Sequence, residues 1–245
     1  MRACWTMIAL CSLAAAAPAG AADAVSADRA TFEIRLHGSV IGVETVEFQN
    51  AGDSLRVFSE TLQIGGRAHT DSLMKRLQMV FTPDFDLRGY DSSERLRGRT
   101  SAVGWTPNDT LFTLYRQHDG RGTGDTYARP PGRLFVLEQG VFASFEVICR
   151  MLGGKSFLTR PLNLLVIGTP DTLLTASLAD HGPETISWGS RPVTARRLTL
   201  GEGPGSYHFW MGPGGRLLRL EHEPTGLRIE RIAPPVKRKP APAPH

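Results

Sequence analysis

Apolar and polar residues alternate along most of the chain, and this alternation predicts β-strands. In Phe32–Leu36 every second residue is apolar and the residues between are charged, as expected for a strand with one buried face. In the next strand, Val40–Phe48, the apolar parity changes between Val43 and Val46, which predicts a β-bulge. Similar segments, separated by turns rich in Gly, Pro, Asn and Asp, follow to the end of the chain, and the pattern predicts about a dozen strands.

Three later segments add detail to this pattern. Phe157–Ile167 is apolar on both faces, which predicts a central strand. His118–Gly132 has almost no apolar residues and many glycines and prolines, so it predicts a loop, either on the surface or as a lid over a cavity. Tyr207–Ile232 predicts three strands joined by the turns Gly212–Gly215 and Glu223–Gly226.

One segment, Gln139–Gly154, places its apolar residues at helical spacing. The apolar stripe consists of Val141, Phe142, Phe145, Ile148, Cys149 and Leu152. Glu146 and Arg150 lie on a narrow polar arc, and Gly153-Gly154 predicts a left-handed helix end. Because the polar arc is narrow, we expect the helix to be covered on most sides, with about 1.5–3 kcal/mol gained per buried side chain. It lies either in the concavity of a curved sheet or as an ordinary core helix between two strands.

Length and composition indicate one exported domain. Met1–Ala22 predicts a secretory signal peptide, because it has a basic start, an apolar centre and small residues at its end. Residues 23–232 then form a single β-rich domain, since a chain of 245 residues with 41% hydrophobic content can build one large β-structure. Residues 233–245, rich in Pro, Ala, Lys and Arg, predict a disordered tail. The expected location is periplasmic or secreted.

Charge and cysteine content narrow the functional classes. The formal net charge of +4 at pH 7 owes much to Lys237, Arg238 and Lys239 in the tail, which predicts no more than weak contact with an anionic surface. The rest of the chain is close to neutral, so nucleic-acid binding is not expected. No apolar run of the mature chain is long enough to span a bilayer. Cys149 lies on the apolar stripe of the helix, which predicts a small core residue rather than a nucleophile.

The sequence contains no strong motif for catalysis or for a cofactor. It has neither a Gly-x-Ser-x-Gly elbow nor a helical His-x-x-x-His spacing. His208 and His222 could meet across a hairpin, but alternation also places them on a solvated face. We therefore expect no catalytic residue, no metal and no cofactor, and an enzyme is the least favoured class.

Three short patterns carry a resemblance to a known family. They are Phe32-Glu33-Ile34 with Gly38 and Ile41-Gly42, Leu137–Phe142 running into the helix, and Phe209-Trp210-Met211 with Gly215-Arg216-Leu217 and Gly226-Leu227. In these patterns the chain resembles secreted bacterial β-domains of unknown function, whose fold is similar to the half-barrel of the lipoprotein-localisation factors. The resemblance implies a curved antiparallel sheet, a half-barrel or open barrel, with one central helix in or near its concavity. In the lipoprotein carriers this concavity holds acyl chains.

Large apolar side chains on the helix and on the predicted strands are the candidate ligand-binding residues. They are Phe142, Phe145, Ile148, Trp105, Trp188 and Trp210. If helix and sheet leave a gap, these side chains would line an apolar pocket suited to a lipid-like ligand; if they fill the gap, they are core. The sequence thus predicts a periplasmic, non-catalytic binding or carrier protein for a hydrophobic ligand. The alternative is an envelope structural or interaction module without a small-molecule ligand.

Overall fold

The computed structural model describes residues 27–65 and 71–233. The predicted signal peptide and nearly all of the predicted tail lie outside the described residues. Within the described ranges the chain forms 15 strands, one α-helix and two short 3-10 turns. No helix in this part of the chain is both long enough and apolar enough to cross a membrane.

The elements follow one another in a simple order. The strands are β1 (Ala27–Leu36), β2 (Ser39–Ala51), β3 (Ser54–Gly65), β4 (Asp71–Phe81), β5 (Leu87–Leu96), β6 (Arg99–Asn108), β7 (Leu111–His118), β8 (Arg121–Ala128), β9 (Leu134–Glu138), β10 (Thr159–Ile167), β11 (Thr172–Trp188), β12 (Arg191–Leu200), β13 (Tyr207–Gly212), β14 (Arg216–His222) and β15 (Leu227–Arg231). The helix α1 (Ala143–Leu152) lies between β9 and β10.

All 15 strands join one curved, unclosed sheet. We call β1–β8 the N-terminal arm and β9–β15 the C-terminal arm; in each arm a strand pairs with the next one along the chain. The arms are joined where β1 pairs with β15, in the register Ile34 opposite Ile229. Every pair is antiparallel except β9 with β10. Because parallel neighbours need a crossover connection, α1 lies between these two strands in the sequence.

The helix α1 is part of the core that both arms share. One hydrophobic cluster includes α1 together with residues of both arms, and eight of the ten helical residues are buried. The expectation of a helix covered on most sides is therefore confirmed. Its first residue is Ala143 rather than Gln139, because Gly140 at φ 81° and a bridge between Glu138 and Val141 form a turn. The helix ends at the left-handed Gly153 (φ 56°), as predicted.

The loop predicted for His118–Gly132 is wrong for most of its length. Arg121–Ala128 is the strand β8, which pairs with β7 along its whole length. Seven of its eight residues are exposed. Since neither face of this strand is buried, it has no apolar alternation for a sequence pattern to detect.

Two further expectations about the strands need correction. The sheet has 15 strands rather than about a dozen. The longest of them, β11, contains a bulge between Asp180 and Pro183. The strand β10 is not central, because it lies next to the edge strand β9. Both of its faces are apolar since Leu164 and Leu165 are buried on opposite sides.

The bulge predicted between Val43 and Val46 lies elsewhere. The register of β1 with β2 is continuous there and shifts instead at Ile41, between the partners of Ile34 and Arg35. The apolar parity changes because Glu44, and not Val43, points into the core: Glu44 is fully buried and Val43 is exposed. A buried carboxyl group can thus produce the same sequence pattern as a bulge.

Side chains connect the two arms near the open seam of the sheet. Lys75 of β4 donates to Glu138 of β9 at 2.8 Å and to the carbonyl of Gln139 at 2.8 Å. Tyr90 donates to the same Glu138 carboxylate. These contacts join the arms without a strand ladder between β8 and β9, so β8 keeps one side of its backbone free.

Candidate binding site

A groove of about 1110 Å³ crosses the N-terminal arm from β1 to β8. Fifteen of its 21 lining residues belong to two rows that the strand registers place side by side, and the other six lie at the strand positions between the rows. The first row is Arg29, Glu47, Phe58, Gln78, Asp91, Gly104, Tyr115 and Gly124, and the second is Thr45, Glu60, Arg76, Ser93, Ala102, Gln117 and Gly122.

The groove lies on the face of the sheet opposite to α1. Thr45 and Glu47 line it, whereas Val46 between them is fully buried in the core. Successive side chains of a strand point to opposite faces. Glu44 shares the face of Val46, and its carboxylate accepts hydrogen bonds from the first residues of α1. We call the groove side the outer face and the helix side the inner face.

The floor of the groove is apolar and has little relief. Phe58 is half-buried and Tyr115 is 52% exposed. Tyr115 is flanked in the register by Gly104 on β6 and Gly124 on β8. A Cβ at Gly124 would lie 3.2 Å from Cδ1 of Tyr115, so a larger residue there would crowd the ring. The glycines therefore leave the aromatic face accessible.

Polar side chains of the groove have free hydrogen-bonding capacity. Arg29, Gln78, Asp91 and Gln117 make no side-chain hydrogen bond or ion pair with any residue of the described part of the chain. In the same rows Arg76 pairs with Glu60 at 3.0 Å, but both are largely exposed. The two rows of the groove thus combine the apolar side chains of Phe58, Ala102 and Tyr115 with nine polar or charged ones, and polar groups within a site fix the orientation of a bound molecule.

The six predicted ligand-binding residues do not line this groove. Phe142, Phe145, Ile148 and Trp105 are at most 7% exposed and belong to the main hydrophobic cluster. Phe145 packs against the rings of Tyr207 and Phe209 at centroid distances of 5.1 and 5.5 Å. Phe142, Phe145 and Ile148 therefore lie together in the core at the helix, whereas Trp105 lies on the inner face of β6 and packs against Phe112 at a centroid distance of 5.6 Å.

The other two predicted residues form a separate cluster. Trp188 and Trp210 pack with Ile186, Ala195 and Leu218, away from the main core. The indole of Trp210 donates to Glu184 at 3.1 Å and that of Trp188 donates to the carbonyl of Arg231 at 2.7 Å. Ligand contact at any of the six residues stays a prediction.

Glu44 is a fully buried carboxylate that sequence reasoning missed. Its carboxylate accepts hydrogen bonds from the backbone N–H groups of Phe142 (2.9 Å) and Ala143 (3.1 Å) and from the Ser59 hydroxyl (2.6 Å). It thereby satisfies amides at the helix N-terminus that have no partner within the helix. Burial raises the pKa of Glu44 to about 7, in spite of these hydrogen bonds. The parity change at Val43 was the sequence signal for it.

A second buried carboxylate, Glu146, connects the middle of α1 to strands β14 and β15. It accepts a hydrogen bond from Arg150 at 2.9 Å, from Arg231 of β15 at 3.3 Å and from the backbone N–H of Leu217 on β14 at 2.7 Å. Burial lowers the pKa of Arg231. Both carboxylates lie on the inner face and attach the helix to the sheet, so they account for stability rather than for ligand contact.

Of the two arrangements considered for His208 and His222, a direct pairing across the hairpin does not occur. The register places His208 opposite Glu221 and His222 opposite Leu227. His208 shares a hydrogen bond with Thr199 at 3.0 Å, and the ring of His222 stacks on that of Tyr207 at 4.5 Å. Among the described residues no group of three His, Cys, Asp or Glu side chains is arranged to hold a metal ion.

Fold and groove define a class: a β-barrel-like domain with an unclosed sheet, one inner helix and an outer groove. No protein-family model matches the chain, and no curated protein matches it. Among solved structures, it is similar to a β-barrel-like protein of the domain of unknown function DUF1849 from Brucella abortus, with a TM-score of 0.55 and 8% identity over 85% of this chain and 95% of that one. A DUF1089 family protein from Pseudomonas aeruginosa aligns with a TM-score of 0.43 and 12% identity over 71% of this chain and 86% of that one.

These comparisons bear on the fold and not on the activity. The expectation of a β-barrel-like fold, shared with a domain of unknown function, is confirmed. The alignment with the Pseudomonas aeruginosa protein is too weak to carry an argument. The similarity to the lipoprotein-localisation factors stays a prediction.

Proposed function

We propose that the protein is a periplasmic or secreted, non-catalytic binding or carrier protein for a lipid-like ligand, which lies in the outer groove. One observation carries the proposal: the groove of about 1110 Å³ combines an apolar floor with polar side chains that have no partner in the described chain. Its volume suits a ligand of drug size or larger, since such pockets measure about 300–1,000 Å³. Export rests on the predicted signal peptide.

The groove offers different contacts to the two parts of an amphipathic molecule. Phe58, Ala102 and Tyr115 would contact an apolar chain that lies across the strands. Arg29 and Gln78 would bind the polar end through hydrogen bonds. Binding of this kind requires no covalent step, because burial of apolar surface supplies the driving force.

The outer groove is the better binding site for the ligand, because side chains already occupy the space between the helix and the inner face. A ligand at Phe145 or Ile148 would have to displace side chains that are at most 3% exposed. Protein interiors are packed as densely as organic crystals, and opening such a space is costly. The groove needs no comparable rearrangement.

Filling the groove tests this proposal. Ser93 is an exposed residue of β5 in the second groove row, and Ser93→Trp would place an indole on the floor. We expect the wild-type protein, purified under native conditions, to release lipid into an organic extract and to bind a fluorescent fatty acid. Ser93→Trp should lose both properties while keeping the unfolding midpoint of the wild type.

The matched control is Ser187→Trp. Ser187 is exposed on β11 of the C-terminal arm and takes no part in the groove, so this variant should bind as the wild type does. A lipid-free extract together with no fatty-acid binding by the wild type would contradict the proposal. If Ser93→Trp and Ser187→Trp bound the fatty acid equally well, the binding site would have to lie outside the groove.

A second candidate function, an envelope interaction module, is favoured by exposed apolar side chains beside the groove. Val40, Val43, Leu62 and Ile64 are 37–51% exposed, and Val43 lies opposite Leu62 on the outer face. Clusters of this kind often mark contacts with other proteins. Cross-linking in cells should then capture one dominant protein partner, and Leu62→Asp should abolish the cross-link while Ser93→Trp leaves it intact.

A further inference from the structure

The two edge strands of the sheet differ in how their backbone is covered. In β9, Leu134, Phe135 and Val136 are at most 2% exposed, and the Ser144 hydroxyl of α1 donates to the Val136 carbonyl. In β8, seven of eight residues are exposed, and the strand pairs on one side with β7. The first edge is shielded by the fold and the second is open.

The open strand lacks the devices that normally protect an edge. Natural edges carry prolines, bulges or clustered charge, since unpaired backbone groups attract other strands. Arg121–Ala128 contains no proline, and its register with β7 has no bulge. Its two charges, Arg121 and Asp125, have no ion-pair partner in the described part of the chain. Glycines within a strand, here Gly122 and Gly124, often mark a close approach of another backbone.

The hairpin geometry identifies the backbone groups that are free. β7 and β8 are joined by Asp119-Gly120, whose φ angles of 46° and 80° are those of a two-residue type I′ turn. The pair that flanks such a turn is hydrogen-bonded, and the pattern then alternates along the strands. Arg121, Thr123 and Asp125 therefore bond to β7. The even-numbered residues from Gly122 to Ala128 direct N–H and C=O away from the sheet.

We propose that β8 pairs antiparallel with β8 of a second copy of this chain, about a two-fold axis at Thr123. Gly122 would then exchange hydrogen bonds with Gly124 of the second copy, and both residues have their backbone groups on the free side. Arg121 would lie opposite Asp125 of the second copy, and by symmetry the same pair forms again. The two unpaired charges of each chain thus neutralise those of the other.

Charge complementarity selects this register from the alternatives. An axis at Gly124 also joins free backbone groups, but it places Arg121 opposite Tyr127 and leaves both charges without partners. An axis at Asp125 places the two carboxylates face to face, and like charges directly opposite are unfavourable. The Thr123 register also sets two threonines opposite each other, which is a favourable cross-strand pair.

The resulting dimer would have one continuous sheet and a joined outer face. Gly122 and Gly124 line the groove of each copy and would lie at the interface between the two copies. The groove of one copy would then continue into that of the other. This inference is independent of the ligand, because it rests on the backbone and charges of β8 alone.

A charge-swap series with analytical ultracentrifugation tests the dimer. We expect the wild type to show a concentration-dependent monomer–dimer equilibrium. Arg121→Asp and Asp125→Arg each put like charges opposite one another, so either change alone should weaken the dimer about tenfold or more. An equimolar mixture of these two variants should form heterodimers, because every opposed pair is then complementary. The double variant Arg121→Asp/Asp125→Arg should dimerise as the wild type does.

The control is Arg99→Asp, the same change at an exposed position beside the β5–β6 turn, which should leave the equilibrium unchanged. Circular dichroism of each variant checks that the fold is kept. A wild type that stays monomeric at every concentration would overturn the proposal. So would single variants that dimerise normally, or a mixture that does not restore association.

Discussion

The outer faces of the two arms differ in whether their polar side chains have partners within the protein. On the C-terminal arm they bind one another: Arg219 pairs with Glu230 at 3.0 Å, and the Trp210 indole donates to Glu184 at 3.1 Å. On the N-terminal arm, Arg29 and Gln78 have no partner in the described chain. The polar groups named on the C-terminal arm are paired with one another, whereas those on the N-terminal arm are available to bind a ligand.

The inner faces show a parallel difference. Under the C-terminal arm, the buried Glu146 is compensated by Arg150 and Arg231. Under the N-terminal arm, the hydrogen-bond donors to the buried Glu44 are two backbone amides and a hydroxyl, and none of them is a cation. The buried carboxylate of Glu146 is therefore stabilised by ion pairs, and that of Glu44 by helix capping.

The largest expected effect follows from removal of the compensated charge. Glu146→Gln leaves Arg231 buried without its carboxylate, and breaking a buried pair in this way costs about 3–5 kcal/mol. Urea denaturation of the variant should show this loss. Glu230→Gln, the matched change at the partly exposed pair on the outer face, should cost about 1 kcal/mol or less. Equal losses from both changes would contradict the proposed difference between inner and outer faces.

Glu44 should make the stability depend on pH in the opposite direction from most carboxylates. Its pKa is raised from 4.5 to about 7 by burial, so the folded state binds a proton more tightly than the unfolded state. This contribution is fully present below pH 4.5 and is lost as the pH rises through 7. The shift corresponds to about 3 kcal/mol.

Comparison of the wild type with Glu44→Gln isolates the pH-dependent contribution of Glu44 to stability, because the amide does not titrate. The free energy of unfolding of the wild type minus that of the variant should fall by about 3 kcal/mol between pH 4.5 and pH 8. Both proteins are unfolded by urea at each pH. A difference that stays constant over this range would show that Glu44 is ionised in the folded protein throughout.

The smallest effect on stability, with a clear effect on binding, is expected at Tyr115. Tyr115→Ala truncates an exposed groove residue, so stability should change by about 0.5 kcal/mol or less. Affinity for a fluorescent fatty acid should fall about tenfold, since the ring supplies much of the apolar floor. Tyr207→Ala, which truncates a tyrosine packed on Phe145, should have the reverse profile. Loss of binding in both variants would favour a site between helix and sheet.

Period-two alternation predicted most of the sheet, and it failed where burial did not follow hydrophobicity. β8 escaped detection because both of its faces are exposed, and the bulge in β2 was misplaced because Glu44 is buried beside an exposed Val43. The helix was predictable from its stripe, since Phe145, Ile148 and Leu152 all reach the core.

The groove could not be predicted from the sequence, because it is created by registers. Glu47, Gln78 and Tyr115 fall in one row only when six strands, β2 to β7, are aligned. Alternation indicates that such residues face outward, but not that the sheet forms a groove there. The sequence pattern favoured Phe142, Phe145 and Trp105 instead, and these residues are part of the densely packed core.

The most direct measurement is photocross-linking with a fatty acid that carries a reactive group along its chain, followed by peptide mapping. The proposed site predicts labels on β5, β6 and β7, around Ser93, Ala102 and Tyr115, and loss of these labels in Ser93→Trp. Labels on Phe142, Phe145 or Ile148 of the helix, unaffected by that change, would contradict the outer groove as the binding site.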